Sequence, residues 1–199
     1  MFRLLGIRRR KQVPNQWTKG VVLLLHGFSK DAYTWFDRRR GDENEAFLPA
    51  QLLYRGYDVW IGNIRGTRYG QTHETLDRDA SNAEERAFFN YNVTDIARND
   101  IPAMVELIMQ EQNKENIDGS KPCKKINMIG HSHGAALMLA SMSYTVKSDR
   151  YVSQMIGVEP CLLPKPDEYY PGLGLTEYQL FSTAADLFSF WSVFGPDWP

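Results

Sequence analysis

Gly130-His131-Ser132-His133-Gly134 follows the apolar run Ile126-Asn127-Met128-Ile129 and precedes Ala135-Ala136-Leu137-Met138-Leu139-Ala140. The run before it reads as a buried strand, and the small, helix-favouring residues after it read as the opening of a helix. A strand that turns straight into a helix brings backbone segments so close that a β-carbon two residues either side of Ser132 would collide with its neighbours. Glycine at both positions removes that clash. The strained turn then pushes the serine hydroxyl out beyond the end of the strand. G-x-S-x-G alone arises by chance, and the strand before it and the helix after it are what give it meaning. The bland alternative is a Gly-rich turn with a surface serine.

Working outward, strand-like and helix-like segments alternate. Val21–Leu25 is a continuous aliphatic run, as in a strand buried on both faces. Phe47–Tyr54 has helical apolar spacing, with Gly56 as its cap, and Tyr57–Ile61 is the next strand. Thr94–Met109 reads as one amphipathic helix with Ile96, Ile101, Val105, Leu107 and Ile108 on its apolar face, kinked or started by Pro102. Lys125–Ile129 is a strand, Ser132–Tyr144 a helix and Gln154–Val158 a strand. This alternation predicts βαβ units, a parallel sheet and an α/β fold.

The 199 residues suit one domain, and 43% hydrophobic with 24% charged residues is ordinary for a globular protein. A net charge of −1 gives no electrostatic case for a nucleic-acid partner, and none is expected. The charge is uneven, because no Asp or Glu precedes Asp31 while Arg3, Arg8, Arg9, Arg10 and Lys11 do. Such a segment fits either an organelle transit peptide or a solvated basic strand and loop. The apolar stretch after Met1 is short and broken by Arg8, so no secretory signal is expected. No run approaches the ~18 apolar residues of a membrane span. The compartment stays unassigned. Cys123 precedes one strand and Cys161 follows its expected parallel neighbour, which sets the thiols at opposite ends of the sheet. Two free thiols, no metal site and no cofactor are expected.

In the strand–turn–helix context the serine motif is the nucleophile elbow of α/β-hydrolases. Ser132 is then the candidate acyl-transfer nucleophile, and it needs a general base within hydrogen-bond reach. It also needs an oxyanion hole. One N–H would come from the residue after it, His133, and the other from Phe28 in the loop His26-Gly27-Phe28 after Val21–Leu25. The triad in such enzymes runs Ser, then Asp or Glu, then His. The four histidines are His26, His73, His131 and His133, and none follows His133. No complete triad is expected within these residues. Glu159, just after the strand at Gln154–Val158, is either a triad acid or an exposed loop glutamate. Gly62-Asn63-Ile64-Arg65-Gly66 and Gly172-Leu173-Gly174 both fail the G-x-G-x-x-G pattern, which leaves nucleotide binding without support.

Four segments together resemble the acid lipase family, the gastric and lysosomal lipases and steryl-ester hydrolases. Leu23-Leu24-Leu25-His26-Gly27-Phe28 is similar to its oxyanion strand. The stretch from Gly56 to Thr67 resembles its most specific signature, G-[FY]-D-V-W-x-G-N-x-R-G. Phe88-Phe89-Asn90-Tyr91 through Asp95 to Asp100-Ile101-Pro102-Ala103 resembles its F-x-x-x-E-x-x-x-Y-D-L-P-A helix, and residues 130–134 its G-H-S-Q-G elbow. His133 stands where the family usually has Gln, and Glu159 where it usually has Gly.

The resemblance implies an α/β-hydrolase fold, present as a partial parallel sheet with flanking helices (1–163) and the start of a cap region (164–199). Leu4-Leu5-Gly6-Ile7 resembles the end of the family's first hairpin. With the rule of right-handed crossovers, it also implies the spatial order Tyr57–Ile61, Val21–Leu25, Lys125–Ile129, Gln154–Val158. The implied substrate is a lipid ester, a triacylglycerol or steryl ester. The family's triad Asp and His would lie on later strands, so the chain is expected to be a fragment, or one half completed by a second chain that pairs with Gln154–Val158. Phe181, Phe188, Phe190, Trp191, Phe194 and Trp198 crowd the last residues, either as a core helix or as a lid facing lipid. A non-catalytic hydrolase-fold subunit serving binding or assembly is the alternative function.

Overall fold

Five consecutive aliphatic residues can all be buried only in a strand covered on both faces. β1 (Val21–Leu25) is such a strand, with every residue at or below 2% exposure. The computed structural model describes residues 19–36, 47–115, 123–144 and 150–160, together with the backbone of two short strands at 169–170 and 175–176. β1 pairs in parallel with β2 (Asp58–Gly62) on one side and β3 (Ile126–His131) on the other, and β3 pairs in parallel with β4 (Val152–Val158). The spatial order is β2-β1-β3-β4, as expected from the sequence. Strand ends differ from the expected ones by one or two residues. β5 (Tyr169–Tyr170) and β6 (Leu175–Thr176) form a separate antiparallel pair.

The pleat sends alternate β1 side chains to opposite faces. Val21, Leu23 and Leu25 meet Ile101, Val105 and Leu137 in the larger apolar cluster. Val22 and Leu24 join Val59, Ile61 and Ile129, with Leu52 and Leu53 of α1 (Leu48–Tyr54) packed against them. Gly56 ends α1 with φ +90, a conformation glycine adopts without strain. β4 is different. Ile156 and Val158 are 51% and 40% exposed, and among the described residues its one strand neighbour is β3.

The helix expected over Thr94–Met109 is interrupted. A single turn, α3 (Val93–Asp95), runs into a π-helical turn over Ile96–Asp100 and then α4 (Ile101–Glu115). Pro102 has no N–H to give the carbonyl four residues back, and the backbone just before it widens, with Ile101 N–H donating to Ile96 O. Ile96, Ile101, Val105 and Ile108 are buried as the spacing predicts, while Leu107 is half-buried. α2 (Asn82–Phe88) was not anticipated, although Ser81-Asn82-Ala83-Glu84 carries its start signal. Ser81 Oγ accepts from Glu84 N–H at 3.2 Å. Cys123 is a free thiol. Leu4–Ile7, Cys161, the boundary at 163/164 and the aromatic tail lie outside the described residues.

Candidate active site

β1 sits at the point where the sheet reverses direction. The chain leaves β1 toward β2, whereas β3, on β1's other flank, leads on to β4. Connections that diverge from the carboxyl ends of two neighbouring parallel strands leave a crevice between them, where open α/β sheets bind ligands. The two turns singled out in the sequence, His26-Gly27-Phe28 after β1 and Gly130–Gly134 around Ser132, both lie at that crevice.

Ser132 occupies the apex between β3 and α5 (His133–Tyr144) with φ 51, a left-handed conformation that costs a side-chain-bearing residue about 1–2 kcal/mol. Backbone bonds hold it there. Ser132 N–H donates to Val158 O at 2.9 Å, and Ser132 O accepts from Ala135 N–H at 3.0 Å. The flanking glycines have the steric role expected of them. A β-carbon on Gly130 would lie 2.6 Å from Ala135 backbone, and one on Gly134 would press into the carbonyl oxygens of His26 and Leu25, the latter at 2.7 Å. Gly27 is less tightly confined, its β-carbon position lying 3.2 Å from Ser132 Cβ. The His26–Phe28 turn therefore rests directly against Ser132. The rings of Phe28 and His133 meet edge to face with centroids 6.0 Å apart. Phe28, about a hundred residues before Ser132 and His133 in sequence, is brought beside them.

The histidines divide by environment. His26 is buried, its Nδ1 2.8 Å from Gly27 O and its Nε2 3.2 Å from Ile64 N. These contacts define one tautomer: Nδ1–H donates to the Gly27 carbonyl, and Nε2 accepts from the Ile64 amide. Burial lowers the His26 pKa, against the opposing pull of the Gly27 bond and Asp31. His133 is buried as well, and burial, aided by His26, lowers it to about 4. Both rings are neutral at pH 7. His131 Nε2 lies 3.6 Å from Glu159 Oε2. Glu159 is largely exposed, with φ 46, and faces His131 from the end of β4. His73 Nδ1 accepts from the amides of Thr75 and Leu76 in a surface loop.

The loop after β2 contributes residues that the sequence marked only as letters of a signature. Asn63 is 2% exposed and its Oδ1 accepts from Ala32 N–H at 2.9 Å. Asp100 takes three bonds from Arg65: the backbone N–H at 3.1 Å to Oδ2, Nε at 2.7 Å to Oδ1, and NH2 to Oδ1. Tyr91 donates its hydroxyl to Arg65 O at 3.2 Å, and burial pushes its pKa up to about 12 against the opposing Arg65 charge. The dense polar signature directly after a strand was the available signal for this cluster.

A family model described as "Alpha/beta hydrolase family" matches residues 22–199. The chain belongs to the alpha/beta hydrolase family. The elbow and the β1/β3 crevice are thus features of an alpha/beta hydrolase core. Among curated relatives, a protein named probable lipase from Schizosaccharomyces pombe is 32% identical over 151 residues, covering 76% of this chain and 30% of that protein. Triacylglycerol lipase 2 of Arabidopsis thaliana is 35% identical over 122 residues, covering 61% and 25%. The chain thus spans less than a third of the length of these relatives. Of solved structures, a soluble variant of monoglyceride lipase from Saccharomyces cerevisiae is 20% identical with a TM-score of 0.47, covering 79% of this chain and 44% of that one.

Proposed function

We propose that this alpha/beta hydrolase chain carries the nucleophile half of a lipid-ester hydrolase of the acid-lipase type. Its substrates would be triacylglycerols or steryl esters, cleaved through an acyl-enzyme on Ser132. The observation that carries the reading is the elbow: Ser132 at φ 51, between glycines whose β-carbon positions are already filled by backbone. A strained serine held by its neighbours at a ligand crevice is the arrangement nucleophilic acyl transfer needs. The choice of a lipid ester rests on the Gly56–Thr67 signature and on the printed names of the relatives.

In the proposed first step, Ser132 Oγ bonds to the ester carbonyl carbon and its proton passes to a general base. The carbonyl pair moves to oxygen, which receives the backbone N–H groups of Phe28 and His133. Each such donor contributes about 10²–10³ in rate. Collapse breaks the ester C–O bond, and the leaving alcohol takes the proton from the base. Water then repeats the sequence on the acyl-enzyme, releasing the fatty acid and restoring Ser132.

The base and its carboxylate partner are proposed to reach Ser132 from polypeptide outside the 199 residues. That would be either another segment of the natural protein or a second chain that pairs with the β4 edge. This is supported by the engagement of the four rings: His26 is locked between Gly27 and Ile64, His131 faces Glu159, His73 serves its own loop and His133 is buried against Phe28. The aromatic tail is proposed to meet the lipid surface. A fluorophosphonate probe tests the assignment. The protein isolated from its native cells should label strongly, the 199-residue chain weakly, and Ser132→Ala not at all. Strong labelling of the isolated chain would locate the base within it. If no form labels, the non-catalytic binding or assembly subunit is the better reading.

A further inference from the structure

The arm that runs from the end of β1 to the 3-10 turn Ala32–Phe36 is held at both ends by two consecutive residues of the loop after β2. At its start, the His26 ring accepts from Ile64 N–H at 3.2 Å; at its far end, Asn63 Oδ1 accepts from Ala32 N–H at 2.9 Å. Between these points lie Gly27, Phe28 and Ser29, the last with φ 53. A left-handed serine is strained and persists only where its surroundings over-determine it. The loop that supplies the clamp is itself pinned, because Arg65, two residues on, binds Asp100 through backbone and side chain. Asn63 Nδ2 is buried with no hydrogen-bond partner among the described residues, so the bond its side chain makes there is through its oxygen. The one group this buried amide pairs is the Ala32 N–H of the arm, and an apolar side chain in its place would leave that N–H buried and unpaired.

We propose that Asn63 is a positioning residue that, with His26, clamps the arm carrying the Phe28 amide at the distance from Ser132 that an oxyanion requires. The inference rests on the ester-hydrolase reading and assigns a role to the signature asparagine. Releasing one end lets the arm relax, and a 1 Å misplacement of a catalytic group costs about 10²-fold in rate.

The test uses the protein in its active form, with Asn63→Leu to remove the acceptor and Asn63→Asp to retain one. Each is assayed on a p-nitrophenyl ester and on the matching thionoester, whose sulfur is a poor hydrogen-bond acceptor. N63L should lower kcat on the ester by about 10–100-fold with KM within about 3-fold. The thionoester rate should fall much less, so the ester/thionoester ratio drops, and N63D should keep that ratio near wild type. A general loss of folded protein would lower both substrates alike, and that result overturns the proposal. An unchanged ratio in N63L overturns it as well. Amide hydrogen exchange at Ala32 is read in parallel and needs no activity: faster exchange in N63L supports the clamp, and unchanged exchange overturns it. Should N63L fail to fold, Ala32→Pro removes the donor at the first position of the 3-10 turn, where proline is admitted sterically, and the same readouts apply. If Ser132→Ala is as active as wild type, the ester-hydrolase reading fails, and exchange at Ala32 alone decides the clamp.

Discussion

Gly134→Ala sets local propensity against tertiary packing. Gly134 is the second residue of α5, where helix propensity alone favours alanine by up to about 1 kcal/mol. The added methyl would meet the carbonyl oxygens of His26 and Leu25, with Leu25 O only 2.7 Å away. The closest ordinary C···O approach is about 3.3 Å, so about 0.6 Å of separation is needed to clear Leu25 O alone, and more to clear His26 O, which lies closer still. Neither obstacle is a flexible side chain: one ends the central strand and the other is the backbone that directly follows it. Overpacking of this kind costs about 1–3 kcal/mol, which outweighs the propensity gain. A net loss of about 1–2 kcal/mol, at a slope of about 2 kcal/mol per molar urea, moves the unfolding midpoint down by about 0.5–1 M. Trp60 in β2, 8% exposed, provides a fluorescence signal from the core. Gly20→Ala is the control, because its methyl would meet nothing closer than 3.4 Å, and its stability should stay within about 0.5 kcal/mol of wild type. Separation at this point also moves the His26–Phe28 turn away from Ser132, so Gly134→Ala should label more slowly with fluorophosphonate. If Gly134→Ala is no less stable than Gly20→Ala, the tight strand–helix contact does not exist as described.

Asp100→Ala leaves the Arg65 guanidinium, 15% exposed, without its carboxylate and should cost about 3–5 kcal/mol in a urea melt; the double variant Arg65→Met/Asp100→Leu should cost less than Asp100→Ala alone. His133 is held neutral by a pKa lowered to about 4, below the ordinary value of 6.5, and His26 is lowered in the same direction. The unfolded chain therefore binds more protons, so stability is lost as pH drops below about 6.5; for His133 the loss runs down to about pH 4, by at most about 1.4 kcal/mol per unit. His133→Gln should flatten part of that slope when urea midpoints at pH 5 and 7.5 are compared. The exposed Ile156 and Val158 on β4 should make the purified 199-residue chain elute above its monomer mass in size-exclusion chromatography; a sharp monomer peak with a cooperative melt would show that this edge is tolerated.

The central architecture was legible because it rests on one-dimensional signals. An unbroken aliphatic β1, a G-x-S-x-G between strand and helix, and alternating elements leave few topologies once crossovers are right-handed. The steric need for Gly130 and Gly134 follows from the tightness of the turn. What escaped was the polar network. Asn63 bonds Ala32, 31 residues away in sequence, and Arg65 bonds Asp100, 35 residues away, and no periodicity encodes such pairs. The π-helical turn before Pro102 was half visible: a proline announces a break, but whether the backbone kinks or widens depends on what Ile96 and Ile101 pack against. Glu159 is an instructive near miss, since its position after β4 was noted but its partner, His131, follows only from the β3–β4 register that sets His131 opposite Val158.

The claim on which the account stands is that Ser132 is the residue acylated during ester cleavage. Peptide mapping after fluorophosphonate treatment of the natural protein, in the form isolated from its own cells, tests it most directly. One phosphonyl group per chain should appear on Ser132, ester hydrolysis should fall in proportion to labelling, and Ser132→Ala should neither label nor hydrolyse. Hydrolysis that survives in Ser132→Ala, or a phosphonyl group on another residue that tracks the loss of activity, would contradict it.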